Sequence, residues 1–174
     1  SFQLSCLEFY TNVVNMPQFD AQELKMLRIL QDEGRKPVSE LAAEVGLSTT
    51  PCARRFEGLR KAGVIEGFGA RLDREAVGLG IEVFVGVSLT AHDGHLPEQF
   101  REHVMRLEAV TACWAVTGGQ DFLLNVMLPD VEALNRFLMQ ELLRIEGVRD
   151  VRTNLVLENV KRPGRLPLGH LTPA

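Results

Sequence analysis

The chain has 174 residues, of which 45% are hydrophobic and 24% charged, with a formal net charge of −4. That length and composition fit soluble globular structure, read here as two small domains. No apolar run approaches the roughly 18 to 20 residues that cross a bilayer, which excludes a helical membrane anchor. Three cysteines, Cys6, Cys52 and Cys113, form neither an even set nor a close pair, which argues against a disulfide framework or a structural zinc site. A cytoplasmic setting with no metal and no cofactor is expected.

The opening stretch SFQLSCLEFYTNVVN has no basic front end and no small-residue cleavage site, so it does not read as a signal peptide. Residues 1–16 are expected to be an N-terminal extension, with Met16 as the candidate natural start and residues 1–15 then outside the native protein. From Asp20 to Glu33, Leu24, Met26, Leu27, Ile29 and Leu30 recur at helical spacing behind an Asp suited to cap the first turn. GRKP at 34–37 ends that helix, Ser39 is the expected cap of a shorter one carrying Leu41, Ala42 and Val45, and Gly46 ends it. A third helix follows with Ser48 or Thr49 as cap, Pro51 in its first turn, and Cys52, Phe56 and Leu59 as its buried stripe.

Two short helices joined at a glycine, with a small Ala42 where they approach, form a helix-turn-helix pattern. The third helix is then the one to enter a major groove. Between Ser48 and Lys61, Arg54, Arg55, Arg60 and Lys61 face only Glu57, whereas Ile81–Val160 holds six arginines and no lysine against twelve carboxylates. A basic element on an acidic body points to a polyanion partner, double-stranded DNA, at one end only. Arg55, Arg60 and Lys61 suit phosphates, while Ser48, Thr49, Thr50 and Arg54 can reach base edges.

Residues 64–72 read as an extended linker strand and 73–80 as a helical hinge. Gly67 and Gly69 lack the spacing of a phosphate-binding loop. Beyond them the period changes to two: Ile81, Val83, Val85, Val87 and Leu89 alternate along a strand. A helix over about 97–107 carries Phe100, Val104 and Leu107. Strands through Val110–Val116 and Phe122–Leu128 form a hairpin about TGGQD (117–121). Asp130 caps a second long helix, with Val131, Leu134, Phe137, Leu138, Leu142 and Ile145 as its stripe and Gly147 at its end. A last strand spans about 148–160.

The order strand, helix, strand, strand, helix, strand is a ferredoxin-like split βαβ sheet with both helices on one face. Phe84, Val156 and Val160 make its other face apolar enough to need a second subunit. The fold expected is therefore α+β: an N-terminal winged or helix-turn-helix three-helix domain at 17–63, a linker and hinge at 64–80, a C-terminal ferredoxin-like βαββαβ domain at 81–162, and a tail at 163–174. His92 and His95 form an HxxH on a glycine-containing loop with no further ligand, and read as solvated rather than metal-binding.

Five segments, DAQELKMLRIL (20–30), SELAAEVGLS (39–48), TPCARR (50–55), AGVIEGF (62–68) and TGGQDFLL (117–124), together resemble the Lrp/AsnC family, the leucine-responsive or feast/famine transcription regulators. The resemblance covers nearly all of residues 20–162. It implies a DNA-binding regulator, not an enzyme, whose C-terminal domain pairs into a homodimer, assembles further toward an octamer and senses a small amino acid where dimers meet. The Gly-x-x-Asp turn that carries the effector in that family matches Gly118 and Asp121 here. Thr117, Gly119 and Gln120 would line the same site. Glu57 and Gly58 depart from the more basic or bulkier residues common in the family, so fewer phosphate contacts are available to one domain.

Two rivals remain at this stage. Siroheme decarboxylases look like the same two-domain architecture with the DNA role lost and would need histidines and basic residues lining a tetrapyrrole cavity; here His103 falls on the helix beside the apolar stripe and the basic recognition helix is intact, which counts against that reading. A thiol sensor through Cys113 is the other, although no activating cation is apparent beside it in the sequence.

Overall fold

The computed structural model describes residues 18–91, 94–161 and 164–173, so the expectations for residues 1–16, and for His92, lie outside the described residues. The chain divides into two compact units, one built from residues up to 70 together with those from 161 onward, the other from residues 71–160.

In the first unit α1 (Ala21–Leu30) opens with a reciprocal capping box. The Glu23 N–H donates to the Asp20 carboxylate at 2.9 Å, and the Asp20 N–H donates to the Glu23 carboxylate at 3.1 Å, which satisfies two N-terminal donors at once. Leu24, Met26 and Leu30 of α1 are buried. Helix α2 (Val38–Val45) begins one residue ahead of the expected Ser39 cap. The Pro37 carbonyl takes the Glu40 and Leu41 N–H groups at 3.0 Å, so the helix starts on a backbone acceptor and Ser39 falls inside it.

Gly46, at φ 75°, makes the turn in the left-handed region that favours glycine. The Leu47 N–H then bonds back to the Ala42 carbonyl at 2.9 Å. Helix α3 (Thr49–Lys61) buries Cys52 and Leu59, with Phe56 half-buried beside them. Ala42, only 2% exposed, belongs to the same core, as the close helix approach requires.

The expected strand at 64–72 is absent among the described residues, because no neighbouring strand offers it a ladder. Within this unit Phe68 instead stacks on Phe56, with centroids 6.1 Å apart. Gly34 makes room for it: a Cβ at Gly34 would lie 2.6 Å from the Phe68 ring. The tail belongs to this unit as well. Arg165 pairs with Asp32, the Leu166 N–H donates to the Gln31 side-chain oxygen at 2.5 Å, and Leu171 packs on the helical core.

The second unit opens with a single turn at 73–79, where Asp73 accepts from the Glu75 and Ala76 N–H groups at 3.0 Å. Four antiparallel strands follow, β1 (Ile81–Leu89), β2 (Val110–Ala115), β3 (Phe122–Leu128) and β4 (Val148–Leu155), in the order β2-β3-β1-β4. Helix α4 (Leu96–Val104) joins β1 to β2. Helix α5 (Val131–Arg136) joins β3 to β4 through a π turn (Phe137–Glu141) and a 3₁₀ turn (Leu142–Arg144). This is the ferredoxin-like arrangement that the element order predicts.

Val83, Val85, Val87, Leu124 and Val126 meet Phe100, Val104, Ala133, Phe137, Leu142 and Ile145 in one core. The last helix differs from the expected stripe: Val131 is 64% exposed and Ala133 is buried instead. Asp130, accepting from the Ala133 N–H at 2.7 Å, sets the helix phase so that Val131 leaves the core. The π turn then makes Phe137 and Leu142, five residues apart, share the buried face.

The other sheet face carries Phe84, Leu123, Met127 and Trp114, the last 47% exposed. A polar chain crosses it: Thr111 to the Asn125 side-chain oxygen at 2.5 Å, Asn125 to Glu82 at 2.9 Å, and Asn159 to Glu82 at 3.2 Å.

Candidate nucleic-acid interface and effector loop

Helix α3 begins after Ser48, which stands in extended conformation and caps with its carbonyl, taking the Cys52 N–H at 3.2 Å; its hydroxyl makes no capping bond. Ser48, Thr49 and Thr50 are all exposed at this helix N-terminus, where backbone N–H groups and the helix dipole favour an anion. Thr50, Arg54, Glu57 and Lys61 continue the exposed face at helical spacing. Arg60 is exposed too, with Glu57 3.0 Å away, so part of its charge is already answered on the surface. Burial pushes the Cys52 thiol above its ordinary range and places it in the core, out of reach of this face.

Arg55 is placed differently from its neighbours. Its guanidinium bonds the Asp20 carboxylate and lies 3.4 Å from Glu23, both at the start of α1, and its side chain is only 30% exposed. Burial raises the Asp20 carboxyl, but the Glu23 N–H and the Arg55 guanidinium together outweigh it and hold the group below the ordinary carboxylate range. The sequence marked Asp20 as a cap of the first turn, but nothing local indicated that Glu23 completes the box or which cation the two receive.

In the second unit the segment 117–121 folds back against the end of β1. Gly118 takes φ 114°, a conformation open to glycine. The Ser88 hydroxyl donates to the Gly119 carbonyl at 3.3 Å, and the Asp121 N–H donates to the Val87 carbonyl at 2.9 Å. The Asp121 carboxylate accepts from the Leu89 N–H at 2.7 Å. The Gln120 amide lies over Gly86, so close that a Cβ there would stand 2.0 Å from its Cδ. Thr117, Gly118 and Gly119 are exposed, while Gln120 and Asp121 are half-buried. Sequence reasoning missed Gly86 and Ser88 as the floor beneath this loop. The available signal was a glycine inside an otherwise apolar strand, which marks a close approach.

Of the residues tied to the rival readings, His103 is exposed on α4. Burial pushes the Cys113 thiol up, with Arg101 pulling against it, which leaves less thiolate than a free cysteine carries. Among the described residues, no three His, Cys, Asp or Glu side chains gather as metal ligands.

Fold and surface together define a helix-turn-helix DNA-binding unit joined to a ferredoxin-like ligand-binding unit. Residues 19–66 match the winged helix-turn-helix DNA-binding family and residues 82–166 match the Lrp/AsnC ligand binding domain. The chain is 38% identical to the leucine-responsive regulatory protein of Klebsiella pneumoniae over 84% of its own length and 90% of that protein. Among solved structures it is similar to a transcriptional regulator from Neisseria meningitidis in complex with L-Met (TM-score 0.84, 35% identity, 88% of this chain and 99% of that one). An AsnC family transcriptional regulator from Agrobacterium tumefaciens is similar as well (TM-score 0.82, 35% identity, 88% and 100%). This chain belongs to the Lrp/AsnC family of transcription regulators.

Proposed function

We propose that this protein is a sequence-specific, cytoplasmic transcription regulator that reads duplex DNA with the exposed face of α3 and is modulated by a small amino acid at residues 117–121. The observation that carries the reading is the stripe Thr50, Arg54 and Lys61 behind Ser48, whose hydroxyl makes no capping bond, an exposed polar and cationic edge on an otherwise acidic chain. Arg54 with Ser48, Thr49 and Thr50 reads base edges, and Arg60 and Lys61 contact phosphates. The apolar side of the sheet, with Phe84 and Trp114, is covered by a second copy, and dimers assemble further toward an octamer.

Asp121 supplies a carboxylate for an α-ammonium group, and Thr117, Gly118, Gly119 and Gln120 border the ligand. The L-Met bound to the Neisseria regulator supports an amino acid as effector. The effector acts by binding one assembly or domain arrangement more tightly than another. The test is a thermal-shift screen against the twenty amino acids, followed by native mass and DNA affinity with each hit. A chain whose melting, mass and DNA affinity respond to none of them would overturn the effector assignment.

A further inference from the structure

We propose that Arg55 is a positioning residue for DNA recognition rather than a phosphate contact: the capping box of α1 clamps it and so sets the orientation of the base-reading end of α3. The inference rests on the DNA-binding reading and revises one residue of it. Each carboxylate of the box divides its oxygens between two tasks. Asp20 gives Oδ1 to the Glu23 N–H and Oδ2 to Arg55. Glu23 gives Oε2 to the Asp20 N–H, and its Oε1 lies 3.4 Å from the Arg55 Nη1. The cap of one helix is thus the receptor for a cation on another.

Arg54 and Arg55 are consecutive, so they point about 100° apart around the helix. Arg54 is exposed and Arg55 half-buried against α1. Cys52 and Leu59 are buried on the core side of α3. Those apolar contacts fix where the axis lies, but they are non-directional and hold the rotation about it weakly. A charge-assisted hydrogen bond from the second turn is directional, and it acts beside Thr50 and Arg54, where base edges are met. A guanidinium already facing two carboxylates offers little net charge to a phosphate. Arg55 therefore contributes specificity without contributing to counterion release.

The experiment uses the full chain and two probes: a duplex enriched by the wild-type protein from a random-sequence library, and a scrambled duplex of equal composition. For Arg55→Gln, affinity for the enriched duplex falls about tenfold or more toward the non-specific level. Affinity for the scrambled duplex, the salt slope and the far-UV spectrum stay at wild-type values. A general loss of folding would lower both affinities together. Arg55→Glu weakens specific binding further, because a third carboxylate then faces Asp20 and Glu23, and Arg55→Lys, which keeps a charged donor toward both, loses less than Arg55→Gln.

A salt slope shallower by about 0.9 in Arg55→Gln would make Arg55 a phosphate contact and overturn the proposal. An Arg55→Gln chain that binds the enriched duplex as tightly as wild type would overturn it too. If the wild-type chain enriched no duplex, the DNA-binding reading itself would fall. The clamp is then read from melting temperatures, where strictly additive effects of Arg55→Gln and Glu23→Gln overturn it.

Discussion

The exposed edge of α3 and the 117–121 loop are both polar, but they stand in opposite states. On α3 the hydroxyl of Ser48 makes no capping bond, and Thr50, Arg54 and Lys61 face solvent. In the loop, Gly119 and Asp121 are bonded to β1, and Gln120 is pressed over Gly86. A surface that docks on a rigid duplex needs groups held ready on a stiff element, since each side chain ordered on binding costs affinity. A loop that senses a small molecule needs bonds it can exchange, because only a difference in interaction between two states shifts an equilibrium.

The largest effect expected is at Asp121. Replacing it with Ala removes a charged acceptor from the Leu89 N–H, and this kind of loss costs about 1.5 to 3 kcal/mol in the second unit, measurable by urea unfolding. Asp121→Asn keeps an acceptor for Leu89 and loses the charge. That variant retains most of the stability and loses the amino-acid response of DNA affinity. Equal stability loss in both variants would show that charge, and not the Leu89 bond, holds the loop.

At Arg54 the contrast is sharper still, because no fold role competes with the binding role. Arg54→Ala leaves the melting temperature unchanged and costs about 1 to 3 kcal/mol of operator binding, some tenfold to a hundredfold by anisotropy at fixed salt. An unchanged affinity would remove Arg54 from the base-reading set.

Most of the architecture was legible because it is written in local periodicity. The switch from helical spacing before Gly63 to alternation after Ile81 separated the two units, and the order of elements determined the sheet. One local case aside, the errors lie where distant residues decide. Val131 was placed in the core because the apolar stripe was extended to the helix start, where the Asp130 cap on the Ala133 N–H sets the phase and turns Val131 outward. The 64–72 segment has the composition of a strand, but a strand exists only with a partner. That Arg55 is placed differently from Arg54 was not legible either, because sequence order cannot say that Asp20, thirty-five residues away, faces it. Likewise the floor beneath the 117–121 loop, Gly86 and Ser88, is set by strand register and appears only once β1 and β3 are paired.

A smaller effect separates charge from geometry at the α1 cap. The Asp20 carboxyl is held below its ordinary value, so its contribution to stability is complete above the unfolded value near 3.8 and is lost as pH falls through the folded one. Asp20→Asn keeps a competent N-cap and removes only the charge. Its deficit against wild type is about 1 kcal/mol or less, since water still screens a pair that is about a third exposed. That deficit stays constant from pH 7 to about 5 and closes below pH 4 in thermal melts. A gap that widened on acidification would contradict the paired carboxylate.

The smallest change probes the loop itself. In Gly86→Ala the new Cβ collides with the end of the Gln120 side chain, not with backbone, so the amide can swing aside. The stability cost is therefore below the roughly 1 to 3 kcal/mol usual for overpacking. If Gln120 resting on the sheet is the unliganded arrangement that an effector must exchange, displacing it shifts the amino-acid concentration needed for half-maximal response without altering DNA affinity in its absence. If Gln120 instead borders the ligand from the position it already holds, Gly86→Ala lowers the maximal response itself. A titration of DNA affinity against amino acid separates the two outcomes, and an unaltered titration would place Gln120 outside the effector site.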